Sequence, residues 1–245
     1  MEPIFIIAVI AYMLSCASYF GYLFFQKTAL QRLAIGLMLA AFALHTASLV
    51  ACGIRAGNFP VNNLHETLSV TAWAIAAVFL GFSYFYKLKI LGVYAAPLIT
   101  LTLIAAYQMP TPAAENPHLF KSWWLATHIV TIFLGNAAFA LACGLGILYL
   151  LQENAIKKKK RGFFFSRLPS LDLLDSTGYA CIVVGFSMTT IGLITGVVYA
   201  KAIWGRFWSW DPKEVWSAIT WLFYAALLHE RLAVGWRGRR AAIMA

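Results

Sequence analysis

Charge is what this chain has least of. Asp, Glu, Lys and Arg together make up only 11% of its residues. A soluble domain carries roughly a quarter, so an extensive water-facing surface is excluded. Cysteine is scarce: Cys16, Cys52, Cys143 and Cys181 are scattered, with no C-x-x-C. That excludes a dithiol redox motif, a thiolate metal site and a thioether-linked prosthetic group on the chain itself, and leaves small packing residues. Strand-like alternation is missing, which argues against a barrel. The first segment lacks a basic n-region and an A-x-A-like site, and reads as a retained helix rather than a cleaved signal. No internal repeat is evident, and no side chains fall in the pattern of an acid–base pair.

What the chain has in abundance is apolar length. Of 245 residues 62% are apolar, and the mean hydropathy is +0.76. Crossing a hydrocarbon core of roughly 30 Å takes about 20 apolar residues at 1.5 Å rise each. Seven stretches qualify, at about 4–25, 33–53, 66–86, 90–109, 124–151, 178–200 and 215–235. The expected fold is all-α, a polytopic transmembrane helical bundle forming one membrane domain over residues 1–245.

The basic residues orient that bundle. Lys27, Arg32, Lys87, Lys89, Lys157, Lys158, Lys159, Lys160, Arg161, Arg167, Arg231, Arg237, Arg239 and Arg240 fall on one side of the alternating topology. Arg55, Lys121, Lys201, Arg206 and Lys213 fall on the other. The positive-inside rule then places the N-terminus outside and the C-terminus as given inside. The net charge of +10 is thereby read as topology and attraction to anionic membrane lipid, with no nucleic-acid partner. The expected inner loop, 152–176, begins with the Lys157–Arg161 run. It continues through Phe163-Phe164-Phe165 to Leu168–Asp175, where a short helix in the headgroup plane is expected. Three loops face outside: Ile54–Leu64 with its Asn-Phe-Pro turn chemistry, the proline-bearing Pro110–Ser122, and Lys201–Glu214. The sixth span carries Gly178, Gly185, Gly192 and Gly196, which suits close helix packing.

The stretch 201–216 is the densest in chemistry. It contains Trp204, Gly205, Arg206, Phe207, Trp208, Ser209, Trp210, Asp211, Pro212, Lys213, Glu214, Val215 and Trp216. Asp211 can cap a following helix, Pro212 suits its first turn, and Glu214 completes a capping-box spacing. Two readings are open. Tryptophan favours the membrane interface in any membrane protein, so the cluster is one end of an aromatic belt. Alternatively, a rigid tryptophan-lined shelf grips a large flat aromatic ligand with polar substituents.

The string W-G-x-F-W-x-W-D-P-K-E-x-W resembles the tryptophan-rich "WWD" signature of haem-handling proteins, and within that group the CcsA/ResC family of the system II cytochrome c biogenesis pathway. Two further stretches, Ala218–Arg231 and Asn58–Leu68, resemble that family as well, so the likeness spans nearly the whole chain. The resemblance implies a haem b cargo carried to the outer face of a bacterial inner membrane. There it is presented for covalent attachment to Cys-x-x-Cys-His segments of apocytochrome c, with a CcsB/ResB-type membrane partner. It implies that Trp204, Gly205, Trp208, Trp210, Asp211, Pro212, Lys213, Glu214 and Trp216 form the haem-binding loop. It also implies an eighth, missing span, opened by Ala241–Ala245, that bears a second outer histidine. A haem exporter or chaperone without synthase activity, and a b-type electron-transfer subunit, are the alternative functions.

The histidines divide accordingly. His128, four residues into the fifth span, matches the family's outer iron ligand; its other reading is a histidine bonded to a neighbouring helix. His229, fourteen residues beyond Val215 and so about 21 Å deeper, cannot reach a ligand at the outer loop. The resemblance assigns it to a second haem within the membrane. His45 is a weaker candidate partner for His229, His65 sits beside Glu66 at the start of the third span, and His118 reads as solvated.

Overall fold

In apolar surroundings a chain must satisfy its own backbone, and the described residues of this sequence do so with helices. The computed structural model describes residues 3–112, 122–159, 162–163 and 165–245. The helices are α1 (Pro3–Phe25), α2 (Thr28–Ala56), α3 (Leu64–Tyr86), α4 (Gly92–Gln108), α5 (Trp123–Lys157), α6 (Leu171–Trp204), α7 (Pro212–His229) and α8 (Arg239–Met244). The first six, α4 counted with the short turn at Lys89–Leu91 before it, are long and apolar enough to cross a membrane. The seventh expected span is helical over α7 and then widens into a π turn at Glu230–Val234, where Glu230 and Arg231 interrupt the apolar run.

Two expected boundaries move. Residues Leu171–Asp175 are not a separate interfacial helix but the opening turns of α6. Ser170 caps them by accepting from the Leu173 N–H, and the helix runs unbroken from there through Gly178 to Trp204. The tryptophan-rich stretch is likewise shorter as a loop: α6 runs on through Trp204 and α7 begins at Pro212, which leaves residues 205–211. Among the cysteines, Cys181 is buried as expected, whereas Cys143 is exposed.

The chain divides into two compact units, Met1–Lys121 and Ser122–Ala245. In the first, α1 packs on α2 and α4, and α3 packs on α4. Tyr12, Tyr19, Met38, Phe79, Ile99 and Leu103 are fully buried there, and the Ser15 hydroxyl donates to the Ala34 carbonyl across α1 and α2 at 2.8 Å. In the second, α5 lies along α6, with α7 on α6 and α8 on α5. A side chain at Gly135 would meet Thr189 Cγ2 at 2.6 Å, so the small residues set how closely α5 and α6 approach. At the far end of α6 from the loop, Asp175 accepts both guanidinium nitrogens of Arg231 at 3.0 and 2.7 Å and the Gly238 N–H at 2.9 Å.

Each unit contains the same helix–loop–helix device. In the first, α2 ends on Gly57 in the left-handed region, Asn63 caps α3, and Glu66 accepts from the Asn62 N–H at 2.7 Å. In the second, α6 ends on Gly205 in the left-handed region, Asp211 caps α7, and Glu214 accepts from the Ser209 N–H at 2.7 Å. Behind each loop a tryptophan on the second helix braces the first. Trp73 Nε1 donates to Thr46 Oγ1 at 2.9 Å with its ring stacked on Phe42. Trp221 Nε1 donates to Thr190 Oγ1 at 2.8 Å with its ring stacked on Phe186. Both loops thus follow the pattern G-x-F-x3-[N/D]-x2-E-x6-W, beginning at Gly57 and at Gly205. This is an internal repeat that reading residue strings did not disclose.

Candidate ligand-binding site

The loop 205–211 is built to be stiff. Gly205 closes α6 at φ +70°, a conformation in which a side chain would be strained. Lys201 donates from Nζ to the Gly205 carbonyl at 2.8 Å and lies 5.0 Å from the Phe207 ring centroid. At the other end Asp211 accepts from the Lys213 N–H at 2.8 Å, with Pro212 in the first turn of α7, as the capping pattern predicts. Trp210, between these anchors, is held at φ +59°, which costs a non-glycine residue roughly 1–2 kcal/mol.

Glu214 is the clamp. Its carboxylate accepts from both the backbone N–H and the hydroxyl of Ser209, at 2.7 and 2.9 Å. Partial burial works against its ionisation, but the Ser209 N–H and hydroxyl and the Asp211 backbone outweigh it and hold the carboxyl below the ordinary glutamate range. Glu214 and Asp211 are therefore both engaged by the loop itself.

Beside this loop, between α5, α6 and the start of α7, lies a cavity of about 410 Å³, in the range of small-molecule sites. Of the expected site residues His128, Trp204, Trp208, Asp211, Lys213 and Glu214 line it. The others do not. Gly205 and Pro212 shape the backbone at its rim, and Trp210 is 78% exposed with its ring edge-on to Trp208. Trp216 lines a smaller neighbouring cavity of about 150 Å³ with Trp221 and Asn136. Trp204 and Trp208 thus line one cavity, Trp216 its neighbour and Trp210 neither, so the tryptophans are not stacked on one shelf. Tyr199, Arg206 and Phe207 also line the larger cavity, and sequence reading did not assign them to the site. Arg206 stands within the tryptophan-rich string, where sequence alone marks it only as an orientation charge. Among the described residues neither Arg206 nor Lys213 makes an ion pair, so the wall of the cavity offers two uncommitted cations.

The histidines have different surroundings. His128 places Nδ1 2.7 Å from the Gly192 carbonyl oxygen on α6. A carbonyl only accepts, so Nδ1 carries the proton and Nε2 is the nitrogen left for a ligand. His128 is thus bonded to a neighbouring helix, as one sequence reading expects, and the same ring lines the cavity. His229 is exposed at the opposite end of α7 from the loop, in line with the expected separation. His45 is fully buried, with Nε2 2.9 Å from Ser69 Oγ and its ring edge-on to Phe5 and Tyr12. His65 donates from Nδ1 to the Ala106 carbonyl at 2.8 Å. His118 lies outside the described residues.

Comparison with known proteins matches residues 61–245 to the family model described as cytochrome C assembly protein. The cytochrome c biogenesis protein CcsA of Synechococcus sp. (strain JA-3-3Ab) is 32% identical, over 92% of this chain and 81% of that protein. The CcsA of Synechococcus sp. (strain CC9902) is 36% identical, over 85% and 77% respectively. The CcsA of Chlorella vulgaris is 31% identical, over 82% and 74%. A solved structure of the cytochrome c haem lyase CcmF superposes with a TM-score of 0.66 at 16% identity, covering 94% of this chain and 42% of that one. At that identity the likeness is one of fold.

Proposed function

The chain belongs to the cytochrome c assembly protein family and is a multi-pass membrane protein; from that premise we propose that it carries haem b to the outer face of a bacterial inner membrane and presents it there to apocytochrome c, acting with a CcsB/ResB-type partner. The observation that carries this reading is one cavity that joins His128, with Nε2 uncommitted, to Trp204 and Trp208 and to the cations Arg206 and Lys213. Those are the groups a porphyrin needs: an axial imidazole for iron, indole faces for the macrocycle, and positive charge for two propionates.

The chain's own residues bind and orient. His128 ligates iron, the tryptophans fix the ring, and Arg206 and Lys213 turn the propionate edge towards the loop. Attachment is then the addition of two Cys S–H groups of a Cys-x-x-Cys-His segment across the two vinyl double bonds, one C–S and one C–H bond forming at each. The histidine of that segment takes over an iron position. No oxidant is consumed. The two carboxylates of the cavity, Asp211 and Glu214, are engaged in capping and clamping. The contribution of the protein is thus positioning and control of iron ligation, which in favourable geometry is worth several kcal/mol of barrier. His229 serves a second haem within the membrane, with a ligand from the partner.

The test is purification of the full chain with its partner, a visible spectrum, and a cytochrome c reporter in the same cells. Haem should co-purify, and His128→Ala should remove or shift its absorbance while the helical content is unchanged. An unchanged spectrum in that variant would overturn His128 as ligand. Haem that co-purifies while mature cytochrome never forms would replace the synthase role by the exporter or chaperone role.

A further inference from the structure

We propose that Gly196 is a positioning residue for the outer haem site, forming with the backbone carbonyl of residue 192 a seat on α6 that fixes both the plane and the tautomer of the His128 ring. The proposal rests on the reading of His128 as the outer ligand, and its test separates the two.

The geometry leaves the ring little choice. The Gly192 carbonyl takes the proton-bearing Nδ1 at 2.7 Å. One helical turn further on, a Cβ at Gly196 would lie 2.6 Å from Nδ1 and 2.8 Å from Cε1 of the same ring. Real Cβ atoms do not approach so closely, and α6 is unbroken helix at that point, so with any side chain at residue 196 the imidazole must leave. Leaving breaks the Nδ1 hydrogen bond, and Nε2 is then no longer aimed by the protein. In ligating histidines a partner on the second nitrogen sets ring orientation and ligand basicity.

General helix packing accounts for Gly185 and Gly192, where a Cβ would meet Phe139 at 2.5 Å and Ile132 at 2.6 Å, but at Gly196 all three nearest atoms belong to the His128 ring. Gly178 on the same helix has only Leu145 Cβ near it, at 3.8 Å, which is ordinary contact and makes it a control. The internal repeat supplies an independent comparison. The first unit has no histidine in α1, and its positions corresponding to Gly192 and Gly196 are not glycine. Whichever side of the one-turn length difference between α2 and α6 is used for the alignment, Gly192 matches Ser48 or Leu44, and Gly196 matches Cys52 or Ser48. The copy without the imidazole also has no glycine at the position of Gly196.

The experiment uses the full chain with its partner. In the haem-free protein, nitrogen NMR of histidine should show His128 protonated on Nδ1, and Gly196→Ala should remove that signature. In the haem-loaded protein Gly196→Ala should shift the haem absorbance and weaken haem retention by about tenfold or more, whereas Gly178→Ala should change neither. In a His128→Ala background, adding Gly196→Ala should change nothing further. If Gly196→Ala fails to fold but the double variant folds, the ring and the added methyl are in conflict as proposed. If neither folds, or if Gly196→Ala leaves the His128 tautomer and the haem spectrum as in the wild type, the seat is wrong. A normal tautomer effect in a protein that binds no haem would instead retain the seat and sink the functional reading.

Discussion

Glu214 commits both carboxylate oxygens to Ser209 and so holds closed a loop that would otherwise be tied only at its ends. Because these hydrogen bonds favour the charged form, its folded pKa lies below the unfolded value. A depressed carboxylate contributes its stabilisation in full above the unfolded pKa of about 4.3 and loses it as pH falls through the folded value. The loop should therefore be ordered at neutral pH and loosen under acid. Hydrogen exchange of residues 205–211 checks this. Glu214→Gln should exchange faster than wild type at neutral pH, and the two should converge as pH falls from about 5 towards 3. Equal exchange at neutral pH would show that the clamp holds nothing. Arg206 belongs to the same scale: Arg206→Gln should weaken binding of haem but not of its dimethyl ester, measured by absorbance titration. A ratio of affinities that does not change would remove it from the site.

At the scale of the elements, the two tryptophan braces allow a paired comparison. Trp73→Phe and Trp221→Phe keep the stack on Phe42 or Phe186 and delete one N–H donor. The hydroxyls of Thr46 and Thr190 each keep their bond to a carbonyl one turn back. Each variant should thus lose about 0.6–1.5 kcal/mol, the range for single hydrogen bonds between membrane helices, measurable by unfolding in denaturing detergent. Only Trp221→Phe should also alter haem binding, since its helix leads out of the tryptophan-rich loop. Equal effects on haem would mean that the first unit takes part in the site. The helices themselves were legible in the sequence because apolar length and capping residues are local properties. Asp211 and Pro212 do what their types and positions predict. The seat of His128 was not legible, because it depends on which face of α6 meets α5. The internal repeat was hidden for a different reason. Its Gly, capping residue, Glu and Trp share spacing but are separated by unlike residues, and α6 is one turn longer than α2 between the threonine and the terminal glycine. The start of α6 was missed because Leu, Asp and Phe near a basic run suit a helix in the headgroup plane as well as one that enters the membrane.

For the whole molecule, the helix count between the two loops and the charge distribution together make a topology that labelling can test. Four apolar helices, α3 to α6, lie between the loop that begins at Gly57 and the loop that begins at Gly205. If each crosses the membrane once, an even number of crossings puts both loops on one side. The positive-inside rule, which knows nothing of the repeat, puts the Lys157–Lys159 segment on the other side. The prediction is a labelling pattern in intact cells, read in a background where the four native cysteines are replaced by serine. Cysteines introduced at Asn58 and Arg206 should react with a membrane-impermeant maleimide, and one at Lys158 should react only after the membrane is opened. Labelling of Lys158 before Asn58 would invert the orientation and put the tryptophan-rich loop on the side opposite to the one proposed. Labelling of Asn58 without Arg206 would mean that one of the four helices does not cross, and the two loops would then no longer be equivalent in the membrane.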